Sequence, residues 1–235
     1  MHHTLDSGSI RRFYDAVYEK GDIRDNARLY RRIIALLDPR PGTVLLDVGC
    51  GVGCLLQEAF AAGVHPYGLD LSHAALVKAR GLVPAACLSV GDGEHLPFRE
   101  GAFDYVVSLG SIEHFIHPEA GIREIARLLK PLGRAALILP NRFYLGDILR
   151  VARGRDPEAQ WQIQETLLTR AEWCALLESG GLRVERVYGY NKYPELFKPG
   201  TLKMKSLRKF VQVSCMKICC PLNLSWQFVF VCRRK

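Results

Sequence analysis

Thr43-Val-Leu-Leu-Asp-Val-Gly-Cys-Gly-Val-Gly-Cys-Leu-Leu56 is the stretch on which the reading of this chain turns. An apolar, β-rich run reaches Asp47, glycines alternate at Gly49, Gly51 and Gly53, and helix-spaced apolar residues resume at Leu55 and Leu56. The pattern predicts a strand, a tight turn and a helix N-terminus within about a dozen residues. Side chains at the glycines would hold a ligand away from the backbone. The helix behind them offers unsatisfied N–H groups and the positive end of its dipole. Such a turn receives something polar or anionic.

Outward from this turn, strands and helices alternate. Strands are expected at Val44–Val48, His65–Leu69, Ala85–Ser89, Phe103–Leu109 and Arg134–Leu139. Helices are expected from about Gly53 to Ala62, from a Ser72 cap to Arg80, and over Pro118–Leu129. After an irregular stretch, 141–165, come a helix over Thr169–Ser179 and a strand over Leu182–Tyr188. A basic stretch, 190–222, then precedes a last strand at Ser225–Val231. Residues 8–37 read as two helices, from Ile10, Phe13, Tyr14, Val17 and Tyr18 and again from Leu29, Ile33, Ile34, Leu36 and Leu37. The alternation implies right-handed crossovers and a parallel sheet. The fold expected is α/β.

At 235 residues, 49% of them apolar, the chain can bury a full core as one domain. No apolar run approaches the roughly 20 residues of a membrane-spanning helix. The N-terminus has no hydrophobic signal region, so a cytoplasmic location is expected. The eight cysteines lack C-x-x-C pairs, which favours free thiols over disulfides and leaves no metal site expected. Residues 141–235 hold 17 Lys/Arg against 8 Asp/Glu, whereas residues 1–140 are nearly neutral. That asymmetry points to an acidic partner, an anionic substrate or a membrane surface.

Three features sharpen the glycine turn. Asp70 ends the second strand, where a carboxylate can accept from ribose hydroxyls. Gly91-Asp-Gly-Glu94 ends the third strand and adds Asp92 on the same sheet edge. Phe103-Asp-Tyr-Val-Val-Ser-Leu-Gly-Ser-Ile-Glu-His-Phe115 carries the fourth strand into a loop at that edge. Ligands of open parallel sheets sit beyond the strands' carboxyl ends, so all three converge on one crevice. Each carboxylate also has a structural reading: Asp47 and Asp92 as turn formers, Asp70 as part of a helix cap. A dehydrogenase is the competitor, but its G-x-G-x-x-G fingerprint would need a glycine where Cys54 stands.

Over residues 43–140 the chain resembles the class I S-adenosylmethionine-dependent methyltransferases, closest to the quinone-biosynthesis and small-molecule group. The resemblance rests on Asp47-Val-Gly-Cys-Gly-Val-Gly53, Gly68-Leu-Asp70, Gly91-Asp-Gly-Glu-His-Leu-Pro-Phe98, Phe103-Asp104 and Ile112-Glu-His114. It implies a doubly wound, Rossmann-like sheet of seven strands, mostly parallel with the last antiparallel, and helices on both faces. It divides the single domain 1–235 into a helical lid at 1–40, a cofactor-binding core at 43–140 and substrate-side insertions at 141–165 and 190–222.

Carried over residue by residue, Gly49, Gly51 and Gly53 would lie against the methionine part of S-adenosylmethionine, with Asp47 shaping that pocket or binding the amino group. Asp70 would hold the ribose hydroxyls, with Leu71 beside the adenine. Asp92 would accept from the adenine amino group and Gly93 would lie along the ring. Ser108 and Leu109 would contribute backbone near the amino-acid portion, and Tyr14 is a looser match to a lid tyrosine. Asp104 is expected to support the fourth strand.

The activity implied is methyl transfer to a small-molecule acceptor, O- or N-linked, leaving S-adenosylhomocysteine. Positioning supplies most of such acceleration. For a hydroxyl acceptor, His114 is the candidate proton acceptor, with Glu113 and His117 behind it; the alternative for His114 is a backbone hydrogen bond that shapes the pocket. Trp161, Tyr144, Phe143 and Tyr193 are candidates for an apolar substrate wall. Residues 201–220 combine helical apolar spacing with five basic residues, suiting either a sheet-covering helix or one meeting anionic lipid or a phosphorylated substrate. A nucleic-acid methyltransferase is less favoured, because no Asn/Asp-Pro-Pro-aromatic tetrapeptide follows the fourth strand. A non-catalytic cofactor-binding partner is the third reading. The sequence leaves the acceptor and the oligomeric state open.

Overall fold

Val44–Val48, the strand predicted ahead of the glycine turn, lies inside a sheet and is flanked on both sides. The computed structural model describes residues 6–23, 27–156, 165–191 and 220–235. Its strands are β1 (Val44–Val48), β2 (His65–Asp70), β3 (Cys87–Val90), β4 (Phe103–Leu109), β5 (Leu129–Pro140), β6 (Leu182–Tyr190) and β7 (Gln227–Arg234). The helices are α1 (Ser7–Lys20), α2 (Ala27–Leu37), α3 (Cys54–Ala61), α4 (His73–Leu82), α5 (Pro118–Leu128), α6 (Leu145–Val151) and α7 (Arg170–Ser179). The strands form one sheet in the order β3-β2-β1-β4-β5-β7-β6. β1 through β5 pair in parallel, while β7 runs antiparallel to both β5 and β6. The expected topology is the observed one.

Period-2 alternation sorts each strand's side chains between two cores. Leu46, Val48, Val106, Leu137, Leu139, Phe228 and Phe230 pack with Ile122 and Ile125 of α5 and Trp173 and Leu177 of α7. Leu45, Tyr105, Val107, Ala136, Ile138 and Val229 pack with Leu29, Ile33, Ile34 and Leu37 of α2 and Leu55 and Ala59 of α3. Helices therefore cover both faces. Local signals set their ends: the Ser72 Oγ accepts from Ala75 N–H at 3.2 Å, capping α4 as predicted. Thr169 and Glu172 form a reciprocal capping box at the start of α7.

Four boundaries and one element depart from the sequence reading. β3 runs over Cys87–Val90 rather than starting at Ala85. β5 begins at Leu129, directly after α5: Leu129 pairs with Phe103 and the register shifts before Arg134 pairs with Tyr105, while Lys130 bonds Asp104 of β4 at 2.8 Å. Asp104 also accepts from Val44 N–H at 3.0 Å, so it ties β4 to β1 and β5. β6 extends to Tyr190. β7 starts at Gln227, since a 3₁₀ turn (Leu222–Leu224) precedes it and Asn141 Nδ2 donates to the Asn223 and Ser225 carbonyls. α6 lies in the stretch read as irregular; none of its residues is buried, so no apolar face announced it. Trp161, Tyr193 and nearly all of 201–220 lie outside the described residues.

Candidate active site

The glycine turn is the meeting point of β1, β2, β4 and α1. Gly49 and Gly51 adopt φ of 76° and 52°, in the left-handed region that a side chain disfavours. A Cβ on Gly49 would lie 2.2 Å from Ser111 Oγ, and one on Gly51 2.8 Å from the Tyr18 hydroxyl. Both neighbours therefore approach as closely as glycine permits. Gly53 is needed for packing: a Cβ there would press on Ala79 of α4 at 3.2 Å.

Carboxyl groups stand at the ends of three neighbouring strands. Asp70 Oδ2 accepts from Gly51 N–H at 2.7 Å and Oδ1 from Ser72 N–H at 2.8 Å. A carboxylate oxygen has two acceptor directions, so these two bonds do not exhaust Asp70. Asp47 is 3% exposed; burial, and then the charge of Asp70, pushes it up to about 8. Asp70 is also raised, burial being the main cause. Asp92 accepts from Glu94 N–H at 2.9 Å and from the Ser7 hydroxyl at 2.9 Å.

The remaining expected residues divide. Leu71 and Leu109 are half-buried on this edge. Ser108 is fully buried and its hydroxyl donates to Val48 O at 3.0 Å, a bond that joins β4 to β1. Gly93 faces the Phe115 ring, which a Cβ would meet at 2.3 Å; the same ring presses on Gly121. This explains the glycine by packing on Phe115, a contact no spacing rule foretells.

α1 crosses the same edge. Besides the Ser7 bond to Asp92, Asp15 Oδ1 accepts from the Ser72 hydroxyl at 2.6 Å and from Ala74 N–H at 3.2 Å, at the positive end of α4. The Tyr14 ring meets His114 at 6.3 Å between centroids, with the planes inclined by 61°. Sequence reasoning singled out Tyr14 and missed Ser7, Asp15 and Tyr18. The i, i+4 pair Tyr14–Tyr18 was the available signal, since both face inward from one side of a helix.

Beyond β4 a 3₁₀ turn (Ile112–His114) buries Glu113 and His114, at 1% and 6% exposure. His114 Nε2 lies 3.9 Å from Glu113 Oε1, too far for a hydrogen bond. Glu94 Oε1 fixes the following loop by accepting from Ile116 and His117 N–H at 2.7 and 3.1 Å. His117 points away from this group; its side chain is 65% exposed and faces Glu119 at 3.7 Å. Its candidacy as a proton acceptor is not supported by that position. Thr166 N–H donates to the Glu113 carbonyl at 2.8 Å, which brings Glu165 alongside. Nothing in the sequence marked Glu165, because a lone Glu in an irregular stretch matches no motif. Of the other expected substrate-side residues, Phe143 is exposed and Tyr144 half-buried.

Burial, reinforced by Glu165, pushes Glu113 up to about 8 from 4.5. A raised carboxyl stabilises the fold fully below its unfolded pKa, and that contribution is lost as pH rises through the folded one. The ligand-free protein should therefore lose stability between pH 5 and 8.5, with Asp47 contributing in the same direction. Glu113→Gln, a neutral isostere, should match the wild type at pH 5 and melt about 3 °C or more above it at pH 8.5, from about 1 kcal/mol or more of relief. Parallel melting curves at both pH values would contradict a buried, proton-holding Glu113.

Among the described residues no Lys or Arg pairs with Asp47, Asp70 or Glu113. None of these residues forms a group of three or more His, Cys, Asp or Glu able to hold a metal ion. Cys50, Cys54, Cys87, Cys174, Cys220 and Cys232 are free thiols. No described helix is long and apolar enough to cross a membrane.

Residues 46–137 match the protein family described as a methyltransferase domain. The demethylmenaquinone methyltransferase of Corynebacterium kroppenstedtii is 35% identical over 133 residues, 53% of this chain and 57% of that protein. The nocamycin O-methyltransferase of Saccharothrix syringae is 35% identical over 133 residues, covering 53% of this chain and 47% of its own length. The chain thus spans about half the length of these curated relatives. The magnesium protoporphyrin IX methyltransferase of Synechocystis, solved with bound S-adenosylhomocysteine, superposes with a TM-score of 0.68 over 98% of this chain and 100% of that one. Its identity is 18%, so this likeness speaks to the fold alone. The match lies on the strands and turns that carry the glycines and carboxylates described above. Over residues 46–137, then, the chain is similar to proteins that carry a methyltransferase domain, and its sheet is the Rossmann-like one of a solved methyltransferase.

Proposed function

We propose that the chain is an S-adenosylmethionine-dependent methyltransferase acting by in-line displacement on a small-molecule acceptor. The carrying observation is the set of Asp47, Asp70 and Asp92 at successive strand ends around a positive-φ glycine turn. These carboxyl groups are hydrogen-bond acceptors, and Asp47 and Asp70 are desolvated without a Lys or Arg partner. A ligand bearing an ammonium, ribose hydroxyls, an adenine amino group and a positive sulfonium fits that donor-poor surface. When bound, S-adenosylmethionine supplies a methyl group already activated for displacement.

The chain's own part is to bind, orient and exclude water. Gly49 and Gly51 let ligand atoms approach the turn, and Asp47 receives the amino group. Asp70 takes the ribose hydroxyls, with Leu71, Asp92 and Gly93 around the base. Backbone at Ser108 and Leu109 borders the amino-acid portion. α1, within the lid assigned to 1–40, brings Tyr14 over this edge. His114, buried beside Tyr14, is the group assigned to hold or accept the acceptor's proton. The core 43–140 is thus the cofactor half, and 141–165 and 190–222 the acceptor half.

The test is transfer of label from methyl-labelled S-adenosylmethionine to a panel of small phenols, amines and quinols, with RNA as a separate arm. Label on a small molecule supports the reading; label on RNA alone overturns the acceptor class. On the acceptor found, His114→Ala should lower kcat by about tenfold or more, a modest share of a general base's usual contribution. Its Kd for S-adenosylhomocysteine should stay within about threefold, which calorimetry checks. Unchanged kcat would remove His114 from proton handling.

A further inference from the structure

The net positive charge of residues 141–235 suggested an acidic partner, an anionic substrate or a membrane surface. The described residues around His114 carry the opposite sign. Glu113 is fully buried, and its Oε2 has no hydrogen-bond partner. Such an atom is costly to leave unpaired, and a native structure that keeps one calls for a missing donor. Glu165 sits half-buried on the segment whose next residue, Thr166, donates to the Glu113 backbone carbonyl. Tyr14 of α1 closes on the same place: burial and then Glu113, Asp70 and Glu165 all raise its hydroxyl. Three separate chain segments therefore converge here, and two of them contribute a carboxyl group.

We propose that Glu113 and Glu165 form a paired carboxyl site that receives a cationic amine on the methyl acceptor. The site deepens, and rests on, the methyltransferase reading. An ammonium offers up to three donors and a full positive charge, so it can serve the unpartnered Glu113 oxygen and Glu165 together. It also favours the charged form of both carboxyl groups, which burial holds upward in its absence, with Glu165 adding to burial at Glu113. A hydroxyl offers one donor and no charge. A carboxylate or phosphate acceptor brings no donor for the Glu113 oxygen and no charge that would favour ionising the pair.

The probes are phenethylamine, phenethyl alcohol and 3-phenylpropionate, titrated by calorimetry into wild type saturated with S-adenosylhomocysteine. These share a ring and differ in head group. The amine should bind at least about tenfold tighter than the alcohol or the acid, which is about 1.4 kcal/mol. Glu165→Gln should erase that preference while keeping S-adenosylhomocysteine affinity within about threefold. Equal or tighter binding of the alcohol or acid, amine preference surviving in Glu165→Gln, or no amine binding would overturn the proposal. If S-adenosylhomocysteine itself fails to bind, the methyltransferase reading fails. The amine titration on the protein alone then still judges the carboxyl pair.

Discussion

Asp70→Ala is expected to weaken S-adenosylhomocysteine binding by about 100-fold or more, equivalent to about 2.7 kcal/mol. The carboxylate has two jobs, and the substitution removes both. It orients the glycine turn through Gly51 N–H and the entry to α4 through Ser72 N–H. In the proposed complex its remaining acceptor directions meet two ribose hydroxyls, each a charge-assisted bond of about 1.5–3 kcal/mol. Losing the structural half leaves two N–H groups without partners, so the variant should also melt lower. Asp70→Asn keeps the shape but only one acceptor oxygen, so it gives up one of the two backbone bonds and one ribose acceptor. It should melt between the wild type and Asp70→Ala and bind about tenfold or more weakly. Asp104→Asn is the control, since Asp104 serves Val44 and Lys130 away from the crevice. Calorimetric titration of the three variants reads the outcome. Wild-type affinity in Asp70→Ala would show that Asp70 is only a brace for the turn.

Trp173→Ala should produce the largest loss of stability. Trp173 is wholly buried between α7 and the sheet, and its Nε1–H donates to the Pro140 carbonyl at 2.8 Å. Removing a buried Trp side chain costs about 3–5 kcal/mol, through lost transfer energy and the cavity left behind. At about 2–4 °C per kcal/mol for a chain of this size, the melting temperature should fall by about 10 °C. Trp173→Phe keeps most of the packing and loses the hydrogen bond, so a drop of about 1–2 kcal/mol is expected. A small loss in Trp173→Ala would mean that α7 is not anchored where β5 ends. That anchor matters to function, because Pro140 leads into Asn141, which holds the approach to β7, and Arg142, which bonds Leu168 beyond Glu165.

The parts of this architecture legible in the sequence are those set by local rules. Strand β1, the glycine turn and the start of α3 are marked by an apolar run, positive-φ requirements and helical spacing within fourteen residues. Asp70 and Asp92 were readable because a parallel sheet fixes where strand ends go. What escaped depends on long-range contact. The β5 start is set by Leu129 pairing with Phe103, and the Gly93 requirement by Phe115 stacking on it from 22 residues away. Glu165 joins Glu113 through a backbone bond spanning more than 50 residues, which no periodicity records. His117 illustrates the converse: it has the right residue type and loop, yet as the cap position of α5 its side chain is directed to solvent.

The most direct test of the whole account is a calorimetric titration of the purified chain with S-adenosylhomocysteine and, separately, with NAD. Saturable binding of S-adenosylhomocysteine at one site per chain, with no heat from NAD, is the predicted result. Binding of NAD without S-adenosylhomocysteine would contradict it, and would reassign the glycine turn and Asp70 to a dinucleotide.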